Sequence, residues 1–222
     1  MFKVWQTRTQ RNKQEKAKEK CKLGICAIKK QITGRQGTPI IGAGCLVKDF
    51  FPEFERKHHL VTCAAVINSD NLEGYFLYFQ KLDLSDKKGV QLASVVNKAD
   101  KIFRTSDVVF IPLDPGKLKS RSGLLNDRPF RKGIQHKGFK LYCQVVEEYG
   151  TSHVVRPFQL LENENEEYSL PEFPPDSYRK LLGAPITTDL DGEPVVVGVL
   201  TSGNKVSPIF FSQLDIASSG RK

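Results

Sequence analysis

Long apolar runs are missing from this sequence. No stretch approaches the roughly 18 consecutive apolar residues that a membrane-spanning helix needs. The opening MFKVWQTRTQ also lacks the apolar centre of about 7 to 15 residues that marks a signal peptide. These two absences argue against a transmembrane or secreted chain and lead us to expect a cytoplasmic or nuclear protein. Paired cysteines are missing too. Cys21, Cys26, Cys45, Cys63 and Cys143 form an odd set with no CxxC spacing, poor material for a zinc site and suited to small buried side chains in a reducing compartment. Neither a metal nor a cofactor is expected, and a disulfide between Cys45 and Cys63 on adjacent strands is left open. No repeat of fixed period occurs.

Net charge is absent from most of the chain. Beyond residue 35 the sequence holds 23 basic and 23 acidic side chains, whereas residues 1–35 carry 11 basic residues against Glu15 and Glu19, so the whole formal charge of +9 sits at the front. In WQTRTQRNKQEKAKEK, residues 5–20, the only apolar side chains are Trp5 and Ala17. No face of such a segment can pack on a core, so it is a solvated helix, an arm or a connector. Arg8, Arg11, Lys13, Lys16, Lys18, Lys20 and Lys22 are the candidate contacts to nucleic acid or to an acidic membrane surface. A solubilising tail with no partner accounts for them equally well.

What is present from residue 21 onward is a series of short apolar runs broken by Gly, Pro, Asn and Asp. The pattern predicts strands over 21–32, 39–48, 59–64, 74–82, 90–96 and 107–113, then 138–147, 152–162, 184–189, 193–201 and 205–211. Residues 114–137, rich in Gly, Pro, Ser and charge, read as a linker. The acidic, proline-rich ENENEEYSLPEFPPD at 162–176 reads as a loop outside the core. Many short strands without amphipathic helices between them argue for an all-β sandwich or barrel, and 222 residues are enough for one large domain or two small ones.

Three stretches carry a more specific pattern. GAGCLV (42–47) followed by LVTCAAVI (60–67), then SDVVFIPLD (106–114), then LLGAPI (181–186) with DGEPVVVGVLTSG after it, resemble in order and spacing the base-bearing strand, the carboxylate-bearing strand and the nucleophile turn of trypsin-like serine peptidases. The style is similar to the intracellular, disulfide-free HtrA-like branch and to the vertebrate nuclear trypsin-like peptidases. The resemblance covers about residues 22–216. It implies an all-β protein of two six-stranded antiparallel β-barrels with a site in the cleft, preceded by a basic N-terminal helix or arm. The expected division is an arm over 1–21, a first barrel over 22–113, a linker over 114–137 and a second barrel over 138–222.

Carried over residue by residue, the resemblance puts the general base at Ala65, its orienting carboxylate at Asp107 and the nucleophile at Leu182. Two of these three are hydrocarbons, and RKLLGAPITTDLDG (179–192) contains no serine at all. Neither Ala nor Leu can accept a proton or offer an activated lone pair, and Leu181 and Leu182 are expected to fill the space instead. Asp107, without an imidazole beside it, must find other donors or take a raised pKa. The surrounding frame is better kept. Asp176, with Ser177, falls where trypsin has its specificity Asp–Ser pair. Thr201, Ser202 and Gly203 match the strand edge that pairs with substrate backbone, and Lys180 lies between the two.

The expectation drawn from these positions is a chain that is not an enzyme: a trypsin-like pseudoprotease serving as an interaction or regulatory module, with an extended peptide or protein partner held in the vestigial cleft by β-addition. Asp176 would favour a basic side chain there, or it is simply one more acid in an acidic loop. Two other readings stand beside it. One is a nucleic-acid or acidic-surface binder working through the basic arm. The other is an active peptidase with an unconventional nucleophile such as Cys63, for which the motif places no histidine; His58, His59, His136 and His153 all fall elsewhere. Oligomeric state is not legible.

Overall fold

The computed structural model describes residues 24–31, 39–48, 58–67, 71–80, 89–122, 130–132, 138–149, 152–190, 193–201, 206–211 and 214. The basic arm, including Arg8, Arg11, Lys13, Lys16, Lys18, Lys20 and Lys22, lies outside them.

Alternation builds the first half. Strand β4 (Tyr75–Phe79) buries Tyr75, Leu77 and Phe79 and leaves Phe76 and Tyr78 half-buried, the period of two expected of a strand with one face inward. Its neighbour β1 (Ile25–Lys30) is apolar on both faces, because Ile25 and Ala27 pack into one core cluster while Cys26 and Ile28 pack into another. Strands β2 (Ile40–Lys48), β3 (His58–Cys63) and β7 (Val108–Leu113) are buried along nearly their whole length for the same reason. With β5 (Val90–Gln91) and β6 (Phe103–Arg104) the order is β5-β4-β1-β2-β3-β7-β6, all antiparallel. Pro112 is tolerated inside β7 because β6 pairs only with Val109 and Phe110 and so stops short of it, while the Pro112 carbonyl still accepts from the Asn97 amide at 3.0 Å.

The second half is an antiparallel sheet in the order β11-β10-β9-β12-β13-β14, formed by β9 (Leu141–Tyr149), β10 (Ser152–Glu162), β11 (Tyr168–Ser169), β12 (Pro185–Leu190), β13 (Glu193–Leu200) and β14 (Pro208–Phe210). The Phe110 ring of β7 meets Phe211, just past β14, at 6.2 Å between centroids, so the two halves share apolar contact. The architecture is the all-β double barrel that the resemblance implied.

Three local expectations need correction. The segment 90–96 is not a full strand: after β5 it becomes a short helix, α1 (Leu92–Val95), because Leu92 and Val95, three residues apart, are both fully buried. The region 114–137 is not wholly irregular. It holds α2 (Pro115–Ser122) and β8 (Phe130–Lys132), and β8 pairs in parallel with β2 through Val47↔Phe130 and with β13 through Val195↔Arg131. The acidic stretch 162–176 does reach the core, since Leu170 and Phe173 are buried and Phe173 packs edge-on against Phe158 at 5.3 Å.

Candidate functional site

The site forms where the ends of β3, β7 and β13 meet the entry to β12. Strand β3 delivers Thr62 and Cys63 and then breaks into the turn Ala64–Ile67, which leaves Ala65 exposed. A tight 3₁₀ helix (Pro175–Leu181) carries the chain up to Leu182, Gly183 and Ala184 before β12 begins. Gly183 is decisive here. It has φ +78°, and a Cβ built on it would lie 2.1 Å from Thr62 Oγ1 and 2.2 Å from the Ala43 carbonyl oxygen. Only glycine fits both the left-handed backbone and the space.

That close approach binds the turn to both halves. The Ala43 amide donates to the Leu182 carbonyl at 2.7 Å, and the Gly183 amide donates to the Leu200 carbonyl at 2.7 Å. The buried Thr62 hydroxyl donates to the Ala43 carbonyl at 2.6 Å. Gly42 faces the same carbonyl: a Cβ there would stand 2.6 Å from Leu182 O. Strand β2 thus meets the turn through backbone atoms, with the Val66 and Thr62 side chains packed against the same two glycines.

The two leucines part company. Leu181 is 1% exposed and belongs to the core cluster that both halves share, while Leu182 is half-buried against the cluster of the first half. The expectation that both fill the space is corrected: Leu181 points into the barrel core, where burying it contributes about 1.5–3 kcal/mol, and only Leu182 remains at the turn.

Asp107, half-buried at the start of β7, receives a hydrogen bond from Ser106 Oγ, while its backbone carbonyl accepts from the Ala64 amide at 2.8 Å. Its own amide and that of Val108 donate to Thr105 Oγ1, so the bend into β7 is fixed by its own residues. Cys63 lies beside it. The thiol donates to the Thr201 carbonyl at 3.5 Å across the junction and accepts from the Ala65 amide at 3.4 Å. Burial pushes the thiol up from its ordinary pKa; the Ala65 and Val66 amides oppose the shift, and the charge of Asp107 adds to it. Cys45 and Cys63 are both free thiols, as are Cys26 and Cys143.

Thr201 closes the far side, its amide and hydroxyl both donating to the Ser207 carbonyl at 2.9 and 3.0 Å. Ser202 and Gly203 lie outside the described residues. Asp176 falls in the first turn of the 3₁₀ helix, but the direction of its side chain lies outside what is described. Lys180 is exposed. It stands on the wall of a cavity of about 550 Å³ that the sequence did not announce, with Pro39 and Ile40 of the first half on one side and Val146, Glu148 and Phe173 of the second on the other. The signal was slight: two adjacent carboxylates, Glu147 and Glu148, near the end of a strand whose one other strongly polar residue is Gln144.

Among the described residues no group of three His, Cys, Asp or Glu side chains could hold a metal ion, and no helix is long and apolar enough to cross a membrane. No family model matches the sequence, and no curated protein matches it. Solved structures do match, 136 chains in all. One is a thermostable serine protease, AL20, from an extremophilic microorganism, with a TM-score of 0.50 and 9% identity over 82% of this chain and 86% of that one. The chain has the trypsin-like fold. At that identity the likeness speaks for the fold alone.

The match also corrects the expectation that the chain is not an enzyme. The protein whose fold it shares is a serine protease, and nothing in the structure shows inactivity. The expectation rested on the residue types at two motif positions, Ala65 and Leu182, whereas catalytic groups are recognised by geometry and role and not by sequence position.

Proposed function

We propose that this protease-like domain captures an extended peptide in the cleft between its two halves. The observation that carries the reading is the cavity of about 550 Å³ with one wall from each half, whose lining includes Lys180, two residues before Leu182 in the chain. Its mixed lining is the kind that recognises ligands: apolar walls at Ile40, Val146 and Phe173 for burial, and a few polar groups, Glu148 and Lys180, for orientation. Thr201, followed by Ser202 and Gly203, supplies the edge to which a peptide backbone would add, and Asp176 would set a preference for a basic side chain.

Binding of a fluorescent library of extended peptides to the intact chain tests this, with Ile40→Arg as the variant that fills the cavity. We expect at least tenfold weaker binding by the variant, measured at a temperature where circular dichroism shows both proteins fully folded. Equal binding by the two proteins, or none by either, overturns the reading. The same samples, read for peptide hydrolysis, establish whether capture is followed by cleavage.

A second reading follows from the charge of residues 1–35, which holds the whole net charge of the chain: the arm contacts nucleic acid or an acidic surface. Deleting residues 1–22 should then abolish RNA, DNA or anionic-vesicle binding, and unchanged binding refutes it. The free thiols Cys26, Cys45, Cys63 and Cys143 support a reducing compartment, cytoplasmic or nuclear, and the disulfide-free HtrA-like branch. We also propose barrel units over 22–113 and 138–222 joined by 114–137.

A further inference from the structure

Away from the turn, the two halves meet at a charged junction. Lys29 of β1 reaches across to Glu148 of β9, Nζ to Oε1, at 2.6 Å. The same ammonium sits 4.7 Å over the ring of Tyr78 from β4. His153 of β10 lies directly opposite Glu148 in the β9–β10 ladder and packs against that ring in a tilted arrangement, at 5.0 Å between centroids and 34° between planes. Its Nε2 is 3.8 Å from Glu148 Oε1, beyond hydrogen-bonding distance, and is buried with no hydrogen-bond partner among the described residues. Lys29 and His153 are each 8% exposed. Two residues on, the Val155 amide donates at 2.9 Å to the side chain of Gln80, at the end of β4, which ties the same hairpin to the first half.

With His153 neutral this junction balances: one ammonium, one carboxylate, and an imidazole packed against a phenol ring. A proton on His153 gives it two cations and one carboxylate in a buried space. Among the described residues, the groups that face the imidazole from the packed elements are Lys29, Tyr78 and Glu148. Of these, Lys29 repels the new charge, Glu148 attracts it but is already engaged, and the face of Tyr78 is shared with Lys29. Burial, then the nearby Lys29, holds the imidazole below its ordinary pKa, with Glu148 opposing. The open junction therefore binds the proton more tightly than the closed one, and by linkage acid favours opening.

We propose that His153 makes this junction a proton-operated latch on the cavity, closed when the imidazole is neutral and loosened when it is protonated. Glu148 is the link, since it both pairs with Lys29 and lines the cavity. The functional consequence rests on reading the cavity as the peptide site; the latch itself does not.

Two measurements on the full chain test it. Imidazole Cε1–H resonances are followed by NMR from about pH 7.5 to about pH 5, with His153→Gln assigning the signal. Amide hydrogen exchange at Val155 is followed over the same range, corrected for intrinsic rates. We expect the His153 midpoint to lie below the usual value of about 6.5, and Val155 to lose protection through that midpoint in the parent chain but not in His153→Gln. Lys29→Met should move the midpoint upward. A midpoint at or above about 6.5, Val155 protection that is flat across the midpoint, or His153→Gln losing protection as the parent does, each overturns the latch. Where Lys29→Met does not fold, the parent titration and the exchange data decide alone. A latch that titrates as described in a protein that binds no peptide at any pH supports this inference and overturns the peptide reading.

Discussion

Replacing Gly183 with alanine adds one methyl group at the most crowded point of the chain. The new Cβ would stand 2.1 Å from Thr62 Oγ1, 2.2 Å from Ala43 O and 2.9 Å from the Cys63 amide nitrogen, and two of those three neighbours are backbone atoms of strands that cannot swing aside. The φ of +78° alone costs an alanine about 1–2 kcal/mol. Displacing packed neighbours adds about 1–3 kcal/mol. Breaking the Thr62–Ala43 and Ala43–Leu182 hydrogen bonds adds about 1 kcal/mol each. The loss therefore comes to about 4 kcal/mol or more, a large share of the 5–15 kcal/mol by which domains are typically stable. Gly138 is the matched control, with φ +81° and no heavy atom within 4 Å of its would-be Cβ, so Gly138→Ala carries the backbone cost without the crowding. Urea unfolding of the parent and both variants reads the difference as a shift in midpoint at constant slope. If Gly183→Ala loses no more stability than Gly138→Ala, the account of the turn as a contact between backbones is wrong.

The two leucines before that glycine should separate cleanly in the same experiment: Leu181→Ala loses about 2–5 kcal/mol as a core truncation, whereas Leu182→Ala, half-buried, loses much less. Thiol alkylation should find Cys63 slow at neutral pH, with the rate rising only above the ordinary thiol range, because burial keeps it protonated; fast modification near pH 7 contradicts that environment. Stability should be fully developed above about pH 6.5, the unfolded value for histidine, and should fall as pH drops toward the lower midpoint of folded His153, since the unfolded chain binds the proton more readily. Chemical unfolding at several pH values reads that slope, and His153→Gln should flatten it.

Strands announced themselves where the apolar pattern was both local and bounded by turn residues. The VVFIPL run of β7 and the alternating YFLYF of β4 are of this kind; β7 appears within one residue of its expected bounds, and β4 starts one residue late and ends three early. Residues 90–96 misled because the β-branched Val90, Val95 and Val96 in a short run favour a strand on propensity, and only tertiary burial of Leu92 and Val95 selects the helical spacing. Phe130–Lys132 could not be read as a strand, because three residues carry no period and the pairing partners lie about 80 and 60 residues away in sequence. At the site, the Gly183 turn was legible as a frame, since glycine and proline mark backbone geometry directly. The cavity was not. Its walls come from residues 39–40, 145–149 and 173–180, segments that share no motif and meet only when the halves pack.

Strand β8 has one more consequence. Three residues, each with a hydrogen-bonding place in a ladder, clip β2 on one side to β13 on the other, through Val47↔Phe130, Lys48↔Arg131, Val195↔Arg131 and Val196↔Lys132. Melting either half strips this clip from the survivor and bares an unpaired strand edge, so the halves lose stability together. The protein should denature in a single cooperative step, unlike beads on a string.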